Sequence, residues 1–249
     1  NNLQLLPLDS LYAIEKDYMD SSFGAMYRGL FSFLNANKDR RELLLNERPL
    51  EIDSTVQLNE KIDFAEIEKI VLKAKQAKDY FILLGPPGTG KTSIALKSMV
   101  KEFYSDANTN ILLLSYTNRA VDEICSSISQ IDPAIDFIRI GSEYSSEKKF
   151  HHRLLQNVIK DCSKREEVKN VLIQHRVYVA TVASLSGKLE LLQLKQFQVA
   201  IIDEASQILE PQLIGILSAK HQSNQNAIEK FILIGDQKQL PAIVVQGPQ

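Results

Sequence analysis

The chain has 249 residues, 44% apolar and 24% charged, with a net charge of −2. That is enough to bury a core of ordinary size. The near-zero charge argues against a purely electrostatic nucleic-acid binder while leaving room for a local basic groove. No apolar run approaches the ~20 residues that span a bilayer, and the two cysteines, Cys125 and Cys162, are too few for a zinc cluster or a disulfide framework.

Such sparse cysteine usage leads to the expectation of an intracellular, reducing compartment, and hence of a cytoplasmic protein. With Asn1 in the place of an initiating Met and no signal-peptide pattern, the chain reads as a piece of something longer.

Residues 1–57 are expected to form a helical arm or the end of a preceding domain, and residues 58–249 the main domain. Leu11, Ile14 and Tyr18 recur at helical spacing. Phe23, Met26, Leu30, Phe33 and Leu34 make a second stripe, with Gly24 and Gly29 as its weak points. Both stripes point to packing rather than to a binding surface. Lys38 to Leu45 suits a charged helical turn or two, Pro49 to Leu58 a linker, and Ile67, Ile70, Val71 and Ala74 one face of a further helix.

That helix leads into Tyr80-Phe81-Ile82-Leu83-Leu84, a buried-strand run, and then into Gly85-Pro86-Pro87-Gly88-Thr89-Gly90-Lys91-Thr92. The pattern G-x-x-x-x-G-K-[ST] is that of a phosphate-binding loop. Its glycines let the backbone curl until successive N–H groups face one phosphate cluster. Lys91 supplies a charge to the β- and γ-phosphates of ATP, and the Thr92 hydroxyl suits Mg²⁺. Ile94, Ala95, Met99, Val100 and Phe103 follow at helical spacing, so the loop opens a helix whose N-terminus favours an anion.

From there the chain alternates. Apolar runs at Phe81–Leu84, Ile111–Ser115, Phe137–Ile140, Val177–Ala180, Val199–Ile202 and Phe231–Ile234 are separated by segments long enough for crossover helices. The predicted fold is therefore α/β, a parallel sheet covered by helices on both faces. Ser142 to Lys149 reads as a polar loop, and His151 and His152 as exposed histidines, since no further His or Cys stands at ligand spacing.

Two strand ends carry chemistry. Val199-Ala200-Ile201-Ile202 ends in Asp203-Glu204, and in an open parallel sheet ligands collect at such carboxyl ends. Asp203 is suited to hold Mg²⁺, directly or through water, and Glu204 to orient and deprotonate an attacking water. Phe231–Ile234 runs into Gly235-Asp236-Gln237-Lys238-Gln239-Leu240-Pro241, where the Gln239 amide is the candidate to bond a γ-phosphate and lose that bond when it leaves.

Four motifs in this order and spacing carry a family resemblance: Gly85–Thr92, Ser115–Asp122 (SYTNRAVD), Asp203–Gln207 (DEASQ) and Gly235–Pro241 (GDQKQLP). From about residue 60 onward the chain resembles superfamily 1 helicases, in the branch of the RNA-surveillance and Okazaki-fragment-processing helicases, and looks most like its bacterial members. The resemblance implies a RecA-like P-loop NTPase domain that binds single-stranded DNA or RNA and moves 5′ to 3′ along it. It implies that Thr117 and Asn118 contact the nucleic-acid backbone and that Thr181 is a further contact. On the residues alone, Thr117 and Asn118 equally suit helix capping and Thr181 a plain turn. Arg139, within an Ile-Arg-Ile run typical of the family, receives no role.

Two positions depart from the family pattern. No glutamine stands in register after Leu58-Asn59 to read adenine, and Gln237 replaces a common histidine. The resemblance further implies a second motor domain, absent from the 249 residues, whose arginines supply on the order of 10³ to 10⁵ of the rate in phosphoryl transfer. Two other classes share parts of the pattern. A ring-forming AAA-type remodelling ATPase leaves Asp203–Gln207 and Gly235–Pro241 unexplained. A nucleotide-gated switch of the GTPase kind would need an Asn-Lys-x-Asp after the loop, where none is found.

Overall fold

The computed structural model describes residues 21–86, 90–132 and 135–236, with backbone only at 21–23 and 91–93. Six strands form one sheet: β1 (Tyr80–Leu84), β2 (Ile111–Ser115), β3 (Phe137–Ile140), β4 (Val177–Thr181), β5 (Phe197–Ile202) and β6 (Ile228–Gly235). Their spatial order is β1-β6-β5-β2-β4-β3 and every pairing is parallel. The sequence makes this the natural outcome, because the strands are near-continuous runs of Ile, Leu and Val, as a sheet buried on both faces requires.

Side chains alternate across the sheet. Ile111, Leu113, Val177, Val179, Val199 and Ile201 point into one core with Val71, Leu96, Met99, Val121 and Ile124. These last come from α3 (Ala65–Gln76), the wide helical turn Lys91–Leu96, α4 (Lys97–Tyr104) and α5 (Asn118–Ile131). Leu112, Leu114, Tyr178, Ala200 and Ile202 point into the other core. That face is covered by α2 (Lys38–Leu44), α7 (Arg165–Gln174), α8 (Val182–Ser186), α9 (Glu190–Leu194) and α10 (Glu210–Leu217), with the short α6 (Leu155–Val158) between β3 and α7.

The arm is α1 (Ser21–Leu34), and it packs on α10 and α8. Gly29 is the contact point rather than a weak one. A Cβ on Gly215 would come within 2.5 Å of Gly29 Cα, and one on Gly29 within 3.1 Å of the Pro211 carbonyl, so two glycines let the helix backbones meet. Gly29 is buried and Met26 and Phe33 are half-buried, whereas Leu30 and Leu34 are exposed, so only part of the expected stripe is covered. Leu11, Ile14 and Tyr18 lie outside the described residues. Arg40 of α2 reaches the start of β6, its Nη2 donating to the Ile228 and Glu229 carbonyls at 2.6 and 2.9 Å.

Segment 49–58 is fastened along the end of α3: Asp53 N–H donates to the Gln76 carbonyl at 2.8 Å and Lys75 Nζ to the Gln57 carbonyl at 2.8 Å. The stretch read as a polar loop after β3 contains two 3-10 turns, Glu143–Ser145 and Lys148–Arg153. His152 is exposed as expected. His151 is half-buried, its ring nitrogen 3.3 Å from the Ser146 carbonyl.

Candidate nucleotide and nucleic-acid site

Parallel pairing puts all six carboxyl ends on one edge. Leu84 is level with Gly235, Leu233 with Ile202, Ile202 with Leu114, and Ser115 with Thr181. The motifs found in the sequence therefore converge although some 150 residues separate the first from the last.

At the β1 end, Gly85 N–H donates to the Gly235 carbonyl at 3.2 Å, so the phosphate loop departs from a point tied to the exit of β6. Gly90 adopts φ +78°, and a Cβ there would sit 3.0 Å from Ile94 Cδ1, which is why a glycine is needed. Its carbonyl accepts from Ile94 and Ala95 N–H at 2.8 and 3.0 Å, opening a wide turn over Lys91–Leu96 that continues as α4. Residues 87–89, the Lys91 and Thr92 side chains and Gln239 lie outside the described residues.

At the β5 end, Asp203 N–H donates to the Leu114 carbonyl at 2.8 Å and the residue is buried. Glu204 takes φ 55° and ψ 32°, a left-handed conformation costing a side-chain-bearing residue roughly 1–2 kcal/mol. Its N–H donates to Asp203 Oδ1 at 3.0 Å, and its Oε2 accepts from the buried Ser115 hydroxyl at 3.3 Å. Burial first, and the Asp203 charge second, hold the Glu204 carboxyl above the usual carboxylate range, with the Ser115 bond opposing them. At the β6 end the buried Asp236 donates its N–H to Ser206 Oγ at 3.2 Å. Gly235 packs so close that a Cβ would meet Ser206 N at 3.2 Å. These contacts fit a metal–nucleotide group: a helix start with a glycine-shaped entrance leaves the same sheet edge as a pair of carboxylates fixed by backbone and hydroxyl bonds.

The other three strand ends differ. Thr117 caps α5, its Oγ accepting from Ala120 N–H at 3.1 Å, while Asn118 opens the helix with its Oδ1 buried and unpartnered among the described residues. Thr181 is buried and caps α8, its hydroxyl accepting from Ser184 N–H at 3.0 Å. Sequence reasoning missed several buried charges, Arg139 and Glu102 the most deeply buried among them. Arg139 lies wholly buried in β3 with Nε donating to Asp122 Oδ1 at 2.8 Å. Glu102, also wholly buried, accepts from Asn59 and Glu60 N–H at 2.8 and 2.9 Å and from Lys75 Nζ at 2.6 Å. It pins the stretch upstream of the loop onto α4, beside a cavity of about 300 Å³ lined by Ile62, Phe64, Ile94, Lys97 and Lys101.

With this geometry in hand, the match to known families is decisive. Residues 64–165 and 146–246 match AAA_11, described as an AAA domain. The chain belongs to that family. Among curated proteins it is similar to the Arabidopsis thaliana DNA replication ATP-dependent helicase/nuclease JHS1, 32% identical over 248 residues. That match takes in 94% of this chain and 17% of the relative. The human helicase/nuclease DNA2 is 25% identical over 263 residues, 98% of this chain and 23% of that protein. Among solved structures T4 UvsW aligns at 17% identity with a TM-score of 0.49, over 80% of this chain and 34% of that one. The chain spans less than a quarter of the length of these two curated relatives.

Proposed function

We propose that this domain is a superfamily 1 helicase motor domain that binds Mg-ATP and a single nucleic-acid strand, and that it is the first of two motor domains in an ATP-driven helicase or translocase. The observation that carries the reading is the convergence at one sheet edge of the phosphate-loop exit, the Asp203-Glu204 pair and the end of β6.

In this reading the backbone of Gly85, Pro86, Pro87, Gly88, Thr89 and Gly90 with the Lys91 side chain cradles the phosphates, and Thr92 and Asp203 hold the metal. Mg²⁺, when bound, neutralises charge on the phosphoryl oxygens. Glu204, with its carboxyl made more basic by burial beside Asp203, takes the proton of the attacking water. Gln239 senses the γ-phosphate. The cavity lined by Ile62, Phe64, Ile94 and Gln130 takes the base, its apolar side chains offering a surface for the ring. Thr117, Asn118 and Thr181 line the path of the strand, DNA by analogy with the replication relatives, and a second motor domain of the same protein supplies the arginines. Membership of the RNA-surveillance and Okazaki-processing branch, bacterial type, and 5′-to-3′ movement complete the proposal.

The test is ATP hydrolysis by the full-length protein with and without single-stranded DNA or RNA. Stimulation by a strand is expected, and its absence would count against a translocase.

A further inference from the structure

Between β3 and α6 the chain makes a turn in which every residue but one is fastened. Ser142 and Ser145 close it, with their hydroxyls 2.9 Å apart and Ser145 N–H donating to the Ser142 carbonyl at 3.2 Å. Ser146 Oγ donates to the same carbonyl at 2.8 Å. Glu143 accepts from Asn157 Nδ2 at 3.1 Å. Beneath the turn, Arg139 Nη2 donates to the Ser145 carbonyl at 3.1 Å, and Asp122 Oδ2 accepts from Glu147 N–H at 3.1 Å. A Cβ at Gly141 would collide with Arg139 Nη1, so glycine lets the guanidinium fold back under the turn.

The exception is Tyr144. It is 104% exposed, as open as a side chain can be, and among the described residues it has no hydrogen-bond, ion or ring partner. Single exposed apolar groups are ordinary on a surface. An aromatic ring held out by a turn bonded on both sides and from below is different, because none of that bonding serves to bury it. The turn rests on Asp122, in the same helix α5 whose first residues follow Thr117.

Location narrows the ligand. Ile140 is level with Ala180, and Thr181 with Ser115, so the turn leaves the same edge as Thr117, Asn118 and Thr181, about 10 Å from β2 across two strand spacings. Lys148, exposed, follows it. A ring beside backbone contacts and a lysine suits an unpaired base, since every base has a π-face and stacking tolerates any sequence.

We propose that Tyr144 is a stacking platform for an unpaired nucleobase of the strand bound along the β2-β4-β3 edge. This rests on the single-strand reading given above. Tyr144 would add affinity without sequence preference, and it would hold a base while the phosphates are contacted beside it.

The test is fluorescence anisotropy of a labelled thymidine oligonucleotide with full-length protein. Tyr144→Ala is expected to weaken binding by about 5- to 150-fold, the range of one base–aromatic stack. Tyr144→Phe should stay within about two-fold of wild type, because stacking needs the ring and not the hydroxyl. The slope of affinity against salt should not change in Tyr144→Ala, as no phosphate contact is lost. On a strand of abasic residues wild type and Tyr144→Ala should bind alike. Equal binding of the two proteins to the thymidine strand, or an undiminished gap between them on the abasic strand, overturns the proposal. A wild-type protein that holds no single strand at all overturns the underlying reading instead, a different failure from one confined to the variant.

Discussion

At the ends of β1, β6 and β5 backbone-to-backbone hydrogen bonds set the strand exits, Gly85 to Gly235 and Asp203 to Leu114, with side-chain bonds at Glu204 and Asp236 added to them. At the ends of β2, β4 and β3 side chains do the fastening, through the Thr117 and Thr181 caps and the Arg139–Asp122 pair. The difference matches what each half is proposed to handle. A reacting phosphoryl group loses rate on the order of 10²-fold for a displacement of about 1 Å, which favours rigid backbone placement. A strand bound through its backbone and stacked bases tolerates more adjustable partners.

Substitutions that break one half and spare the other test that division. The largest effect is expected from Asp122→Ala, which leaves Arg139 buried without its carboxylate and should cost about 3–5 kcal/mol of stability in urea denaturation. The turn of residues 142–147 loses support, so strand affinity should fall while ATP affinity of the folded protein holds; equal loss of both would mean the halves are not separable. Gly235→Ala strikes the other side. Its Cβ would press on Ser206 backbone and side chain, an overpacking cost of about 1–3 kcal/mol. Hydrolysis should drop with strand affinity retained, as measured by ATPase and anisotropy on the same preparation.

A smaller, sharper effect concerns pH. The Glu204 carboxyl sits above its ordinary range and the Ser115 hydroxyl opposes that shift. Ser115→Ala therefore raises it further. A base must be unprotonated to accept a proton, so turnover should be lost at higher pH on acidification than in wild type. An acid limb that stays in place would show that Ser115 does not tune the base.

Much of this was legible in the sequence where a local pattern carries the structure. Each strand announces itself as an apolar run, and Asp203-Glu204 and Gly235-Asp236 declare themselves by ending one. The arm's docking did not, because Gly29 looks like a helix defect until Gly215, far along the chain, is set against it. Arg139 was equally hidden: an Ile-Arg-Ile run gives no sign that the charge points inward to Asp122, 17 residues earlier. Glu102 resembles a solvated helix residue and is instead the acceptor for two backbone N–H groups. Partnerships between distant residues are set by tertiary packing, which periodicity does not encode.

The most direct test of the division is Glu204→Gln in the full-length protein, assayed for strand-stimulated ATP hydrolysis and for ATP and single-strand affinity. Hydrolysis is expected to fall about 10²- to 10⁴-fold with both affinities preserved. Turnover equal to wild type would contradict Glu204 as the base.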